Sequence, residues 1–363
     1  VEYAHLNCYL EIAATPNDPF YLNPSQQWYL YKIKAGPAWD YSKGAGVKIA
    51  VIDTGIWADH PDLDAKITVG YDFVDDDAEP EEGSPVSHGT HVAGIAAAET
   101  NNAFGMASLG WDSTIIPLKV TKFPYGRLPY VEEPEGDTRR AVKAVYWAVL
   151  EGKAHIINMS FSVWGETPVI HAFEESCGFA YKLRVVLAAG AGNRREYGIS
   201  YPAKFPTVIA VGAIDRNDKT DVRYAIGPQM ELCAPGIDII STAKSKVVWD
   251  GNQYSWAYLS GTSMAAPLVS ATAALCRAKW PEANAVQIRT IMQGFSDDLG
   301  PPGKDDTYGF GRVNPYKILS RAEGLTLEEV VAAAEDEIAE RLELGAYYGQ
   351  YIDKDTAAAV YGP

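Results

Sequence analysis

From about residue 46 the sequence alternates short, nearly continuous apolar runs with longer helical segments, and few folds accept that order. Residues 47–52 (VKIAVI), 115–120 (IIPLKV), 156–161, 185–189 and 208–214 are β-branched and bounded by Gly, Asp or Asn. Strands buried on both faces read this way. Residues 88–99, 138–150, 169–183 and 264–280 read as helices. The alternation predicts an α/β chain in three layers, α/β/α, around a mostly parallel central sheet. In such sheets ligands gather at the carboxyl ends of the strands, so the chemistry should lie there. The 363 residues are 47% hydrophobic, which excludes disorder for the bulk of the chain.

The turns that follow these strands hold three residues of interest. The first strand runs into Asp53-Thr54-Gly55. His88 opens a helix of small residues, HVAGIAAAE, where an imidazole has no packing reason to be. Ser263 sits in Gly261-Thr262-Ser263-Met264-Ala265-Ala266-Pro267, flanked by small residues that leave it approachable. Singly, each has a bland reading: a turn former, a structural His, a helix N-cap. Together they supply what acyl transfer needs. A weak hydroxyl requires a base to take its proton, and the base requires a carboxylate to fix its tautomer.

The wording around the three, DTGI, HGTHVAGIAAA and GTSMAAP, resembles the subtilisin-like serine proteases, the subtilase family, in the order Asp…His…Ser. The likeness runs from about Thr15 to Leu319 and is nearest to the thermitase branch. It implies a serine endopeptidase acting on extended polypeptides through an acyl-enzyme, with Asp53 as orienter, His88 as general base and Ser263 as nucleophile. The run VVLAAGAGN resembles the family strand that ends in the oxyanion asparagine, which implies that role for Asn193 with the Ser263 backbone N–H. For the substrate cleft it implies one edge at Ser160, Phe161 and Ser162, with Ser162 where a glycine is usual. The opposite edge is expected at residues 133–136, including Glu135 and Gly136, with Thr138 near the S4 wall and Arg194 near the S1 base. About ten extra residues, 121–132, precede that edge. Arg194 and the acids at 132, 133 and 135 pull in opposite directions, so the sequence names no P1 preference.

Seven acids and no Lys or Arg crowd residues 72–82. Unneutralised, they would repel one another, and Ca²⁺ takes six to eight such oxygens; a solvated acidic loop is the other reading. The resemblance implies calcium on Asp72, Asp75, Asp77, Glu79 and Glu81. It implies a second calcium on Asp18, Asp62 and Asn102 with backbone oxygens of Glu99, Phe104 and Met106. No Cys/His spacing suits zinc.

Charge and cysteine count bound the remainder. Lys+Arg 31 against Asp+Glu 47 leaves −16, which argues against a nucleic-acid partner. No run of 18 apolar residues suggests a membrane span. Cys8, Cys177, Cys233 and Cys276 are too scattered for a disulfide framework, and Cys233 and Cys276 are expected as buried thiols. Three segments are expected. Residues 1–14 are a propeptide-like remnant or an N-terminal extension, and they resemble the end of the family's inhibitory propeptide. Residues 15–320 form the catalytic domain, and 321–363 an acidic helical tail or linker with an apolar stripe at Leu327, Val331, Ala334, Ile338 and Leu342. Beginning at Val1, the chain reads as a processed product. The resemblance implies a secreted monomer inhibited by its own propeptide. Two further readings stay open: a peptide cyclase or ligase, for which residues 121–132 would have to exclude water, and a non-catalytic binding protein on the same scaffold.

Overall fold

The computed structural model describes residues 15–122, 134–163, 168–244 and 255–347. Its centre is a sheet of seven parallel strands: β1 (Lys48–Asp53), β2 (Tyr71–Asp72), β3 (Thr114–Lys119), β4 (Ile156–Met159), β5 (Val186–Gly190), β6 (Val208–Ile214) and β7 (Leu232–Pro235). They lie in the order β2-β3-β1-β4-β5-β6-β7. From β1 the chain moves outward to β3 on one side and to β4 on the other, so the order reverses at β1. A crevice for ligands opens where strand order reverses, and Asp53 stands at the carboxyl end of that strand.

Side chains alternate across the sheet because successive Cβ atoms point to opposite faces. Ile49, Val51, Val186 and Ala188 face one layer of helices; Ala50, Ile52, Leu187 and Ala189 face the other. The first layer holds α1 (Trp28–Lys32), α2 (Ala35–Ala38), α3 (His88–Ala97), α6 (Thr262–Lys279), α7 (Ala285–Gly294) and α8 (Pro315–Ser320). The second holds α4 (Pro134–Leu150) and α5 (Pro168–Lys182). The strands are apolar almost throughout because both faces are covered.

An antiparallel hairpin, β8 (Ile239–Ala243) and β9 (Ser255–Leu259), packs β8 on α3. Gly94 permits this: a Cβ there would stand 2.3 Å from Thr242 Oγ1 and 2.4 Å from Ser241 Oγ. Those hydroxyls donate to the Thr90 and His91 carbonyls.

The tail continues into the same body. Helix α9 (Leu327–Tyr347) lies on α7, so close that a Cβ on Gly294 would meet the Ala334 carbonyl at 2.5 Å. Of the expected stripe, Leu327 and Ala334 are buried and Val331 and Ile338 pack partly buried against the core; the most buried line is slightly rotated, with Val330 fully buried and Arg341 rather than Leu342 at its far end. A period of 3.6 residues carries 327, 330, 334 and 341 onto one line. Cys177, Cys233 and Cys276 are buried free thiols, as expected for the last two, and Cys8 lies outside the described residues. Among the described residues no helix is long and apolar enough to cross a membrane.

Candidate active site

Three segments meet at the carboxyl end of β1: the turn 53–57, the loop 80–84 and the first turn of α3. Gly55 has φ +97, and a Cβ on it would stand 2.1 Å from the Glu81 carbonyl. A Cβ on Gly89 would stand 2.2 Å from the Gly55 carbonyl. Only glycine lets the chains approach this closely. Backbone bonds Ile56 N to Pro80 O and Gly83 N to Thr54 O hold the loop to the turn.

This packing puts His88 Nδ1 2.7 Å from Asp53 Oδ1, with both side chains almost fully buried. Thr54 N donates to the same Oδ1 at 2.8 Å. Burial works against the imidazolium, but the Asp53 charge and hydrogen bond, with the Glu82 charge added, hold the His88 pKa above its ordinary value. One turn on, burial pushes His91 down to about 3, so it stays neutral. Its Nε2 faces the Ile239 and Ala257 carbonyls.

Ser263 lies in the first turn of α6, which packs against α3. Its Oγ donates to the Ser160 carbonyl at 3.0 Å. Ser160 returns the contact: its Oγ donates to the Ser263 carbonyl at 2.8 Å. Pro267 explains the second bond. Four residues after Ser263, it has no N–H to offer that carbonyl, and the Ser160 hydroxyl takes the missing donor's place. Asn158 Nδ2 donates to Ser160 Oγ, and Ser270 Oγ donates to Asn158 Oδ1, so the buried chain of hydroxyls is continuous. The end of β4 is thus fastened to the start of α6.

Asn193 follows β5. Its Oδ1 accepts from Thr262 N at 2.9 Å and Thr262 Oγ1 at 3.1 Å. A backbone N–H must face oxygen, so the amide is fixed with its NH₂ outward. A Cβ on Gly261 would stand 3.3 Å from Asn193 Nδ2, which keeps that nitrogen beside the Ser263 turn.

Of the expected cleft residues, Phe161 stacks on Phe173, and Ser162 Oγ accepts from Ser200 Oγ at 2.7 Å. Val163 pairs with Tyr201 in a backbone bridge. Arg194 is exposed, with its guanidinium 5.9 Å from the Tyr197 ring centre. The opposite edge is expected at residues 133–136. Glu135 and Gly136 form the first turn of α4 rather than an extended strand. Pro134 at the first helical position suits a helix start, because its missing N–H would have no partner there. Thr138 is buried in the same helix. Glu132 and Glu133, and all but the first two residues of the stretch 121–132, lie outside the described residues.

The two expected calcium sites differ. Asp18 and Asp62 are fully buried and have no ion pair among the described residues. Asp18 accepts from Asn101 N and Asn102 N; Asp62 accepts from Asn102 Nδ2, Met106 N and Trp256 Nε1. Burial raises both carboxyls, Asp62 to about 7, with the Asp18 charge adding to its rise. Two uncompensated buried carboxylates fit a hard cation. The run from Asp72 to Glu81 does not fit as placed. Lys119 Nζ is 2.5 Å from Asp72 Oδ2 and 3.3 Å from Asp75 Oδ2, and Lys122 Nζ is 2.9 Å from Asp75 Oδ1. Counter-charge for Asp72 and Asp75 is thus supplied by Lys119 at the end of β3 and Lys122 just beyond it. Asp77 Oδ1 accepts from Glu79 N, closing a local turn. Phe104 N caps Asn102 Oδ1, and the Glu99 N–H goes to the Asp62 carbonyl. Among the described residues no group of three or more His, Cys, Asp or Glu could share a metal ion.

Sequence reasoning passed over Glu82, which it counted only as one acid of the run, and the locking of Ser160 to Ser263. The signal for the second was present: a proline inside a helix must leave one carbonyl seeking a donor.

A model of the subtilase family matches residues 44–311. The thermophilic serine proteinase of Bacillus sp. strain AK1 is 37% identical over 328 residues, covering 88% of this chain and 73% of that protein. Thermitase of Thermoactinomyces vulgaris is 34% identical over 305 residues, covering 84% of this chain and 99% of thermitase. Among solved structures, a protease of Pseudoalteromonas arctica superposes with a TM-score of 0.73 at 26% identity, over 85% of this chain and all of that one. Fervidolysin of Fervidobacterium pennivorans superposes with a TM-score of 0.71 at 28% identity, over 81% of this chain and 45% of that one.

Proposed function

The chain belongs to the subtilase family and is a subtilisin-like serine protease, and from that premise we propose that it is an endopeptidase working through Asp53, His88 and Ser263. The observation that carries the reading is the 2.7 Å bond between His88 Nδ1 and Asp53 Oδ1, buried at the switch point of the sheet. Asp53 accepts a hydrogen bond from Nδ1–H and so leaves Nε2 as the basic atom. Ser263 Oγ leaves the Ser160 carbonyl, gives its proton to Nε2 and attacks the scissile carbonyl carbon. The imidazolium then passes that proton to the departing amine, and water repeats the cycle on the acyl-enzyme. Developing oxyanion charge is met by Asn193 Nδ2 and by the Ser263 N–H. The latter is one of the first amides of α6, which have no acceptor within the helix.

An extended polypeptide substrate would lie along residues 160–162 and extend the backbone pairing that Val163 makes with Tyr201. Calcium would bind at Asp18, Asp62 and Asn102, where its charge offsets two buried carboxylates. It would pin the N-terminal arm to the loop after α3 and take no part in the chemistry. The propeptide-like wording of residues 1–14 supports a role as the chain's own inhibitor. The Bacillus and Thermoactinomyces relatives are named as proteases, and one further relative, from Natrialba magadii, is named as extracellular; secretion is the reading for this chain also. The test is hydrolysis of a chromogenic peptide blocked by a serine-directed fluorophosphonate that labels Ser263. Full activity in a pure Ser263→Ala sample would overturn the reading.

A further inference from the structure

We propose that Glu82 is a positioning residue for the catalytic pair: its carboxylate ties the turn carrying Asp53 to the first turn of the helix carrying His88, and so holds the imidazole against Asp53. The inference rests on the reading of Asp53, His88 and Ser263 as the triad, and it adds a second buried carboxylate behind the base.

The geometry is specific. Glu82 Oε1 accepts from Thr54 Oγ1 at 2.7 Å and Ser84 N at 2.8 Å. Its Oε2 accepts from Thr90 N at 2.9 Å and Thr90 Oγ1 at 2.8 Å. Each hydroxyl donates its proton to Glu82 and also accepts from a backbone N–H: Thr54 Oγ1 from Gly89 N, and Thr90 Oγ1 from Trp57 N. Four donors therefore converge on one carboxyl group, and only the ionised form can accept all four. Thr54 is the residue after Asp53, and Gly89 and Thr90 are the two after His88. Rotation or translation of either segment would break at least one of these bonds.

The helix itself shows why a remote group is needed. Ser87, the residue before α3, has φ 53 and makes no side-chain cap. Its Oγ instead accepts from Lys244 N. The second and third amides of α3 are satisfied by Thr54 Oγ1 and Glu82 Oε2, so anionic charge stands at the positive end of the helix that presents the base.

The charge also reaches the imidazole. Around His88 stand Asp53 from β1, Glu82 from the preceding loop, neutral His91 from its own helix, and the exposed Lys244–Glu81 pair beyond β8. Asp53 and Glu82 are the groups that favour the imidazolium. Removing the Glu82 charge therefore keeps His88 neutral to lower pH.

A helix cap and a positioning residue predict different kinetics. The full chain would be prepared as wild type, Glu82→Gln and Glu82→Asp. Active sites would be counted by fluorophosphonate titration, and kcat and KM measured on a chromogenic peptide from pH 5 to 9. Glu82→Gln should lower kcat by about tenfold or more with KM within about twofold, since misplacement of a catalytic group acts on the transition state. Its acid limb should move down by roughly half a pH unit or more. Glu82→Asp keeps the charge but falls one methylene short, so it should lower kcat and leave the acid limb within about 0.2 units of wild type. A folded Glu82→Gln with wild-type kcat, or with a lowered kcat and an unmoved acid limb, would overturn the proposal and leave a cap alone. If Glu82→Gln does not fold, Glu82→Asp decides: full kcat there overturns it equally. Failure of the fluorophosphonate to label Ser263 in the wild type would instead overturn the triad reading, and this proposal with it.

Discussion

Replacing Arg341 with methionine should destabilise the catalytic body from a position in the tail, nearly two turns from the end of α9. Arg341 is 7% exposed. Its Nη1 donates to the Gln293 carbonyl at 3.3 Å, Ser296 Oγ at 3.0 Å and the Phe310 carbonyl at 3.1 Å; Nη2 donates to the Ser296 carbonyl at 2.7 Å. These acceptors form the negative end of α7 and the segment beside it, where a cation is favoured. Methionine keeps most of the side-chain volume, so no large cavity opens. Each carbonyl also keeps another donor: the Ser296 N–H for Gln293, the single Ser296 hydroxyl proton for Phe310, and Lys317 Nζ for Ser296. The loss is therefore of charge-assisted bonds without a stranded acceptor, about 2–3 kcal/mol in all. In a domain of this size that corresponds to roughly 3–5 °C in Tm. The assay is calorimetry at fixed calcium and scan rate in a Ser263→Ala background, so that autolysis does not set the apparent transition. Glu340→Gln, at the exposed neighbouring position, is the control. A Tm for Arg341→Met within 1 °C of the control would show that α9 is not fastened to α7 through this residue.

Asn193→Ala should reduce kcat by about 10²–10³ with little change in KM, because the amide meets charge that exists only in the transition state; a change confined to KM would place Asn193 in substrate binding instead. Ser160→Ala removes the donor that stands in for the Pro267 N–H and should cost about 1–3 kcal/mol of stability, read from denaturant midpoints in the Ser263→Ala background; an unchanged midpoint would mean that another donor reaches the Ser263 carbonyl. The acid limb of kcat/KM should lie above about pH 6.5, since the His88 pKa is raised and only the neutral base works. The same shift has a stability consequence. Imidazolium is favoured by the fold, so the contribution is complete below the unfolded value near 6.5 and is lost as pH rises through the higher folded value; NMR titration of the ring protons reads the folded value directly. Exhaustive chelation should lower Tm, by an amount equivalent to about 2.7 kcal/mol for a site previously at 100 times its Kd, whereas Asp75→Asn should leave the chelation effect unchanged. Loss of that effect in Asp75→Asn would put the cation in the Asp72–Glu81 run after all.

What the sequence alone determined is what local chemistry dictates. A strand covered on both faces must be apolar at every position, so β1, β3, β5 and β6 are visible as runs. A nucleophile, base and orienter must each sit in a tight turn, so DTG, HGTH and GTSM stand out with their glycines. The strand β7, Leu-Cys-Ala-Pro, has no β-branched residue to mark it, and the hairpin of β8 and β9 packs on α3 where Gly94 leaves room. The acidic run looked like a cation site because its neighbours in sequence hold no positive charge. Lys119 arrives from β3, forty-seven residues from Asp72, by parallel pairing with β2, and Lys122 follows just beyond that strand. Glu82 is likewise one acid among seven in the sequence, and becomes the tie between Asp53 and His88 only when three separate segments close on one another. Periodicity and turn residues express a chain's own conformational preferences, and these are written residue by residue. The partner of a charge depends on which distant segments packing brings within 3 Å, and only the tertiary structure decides that.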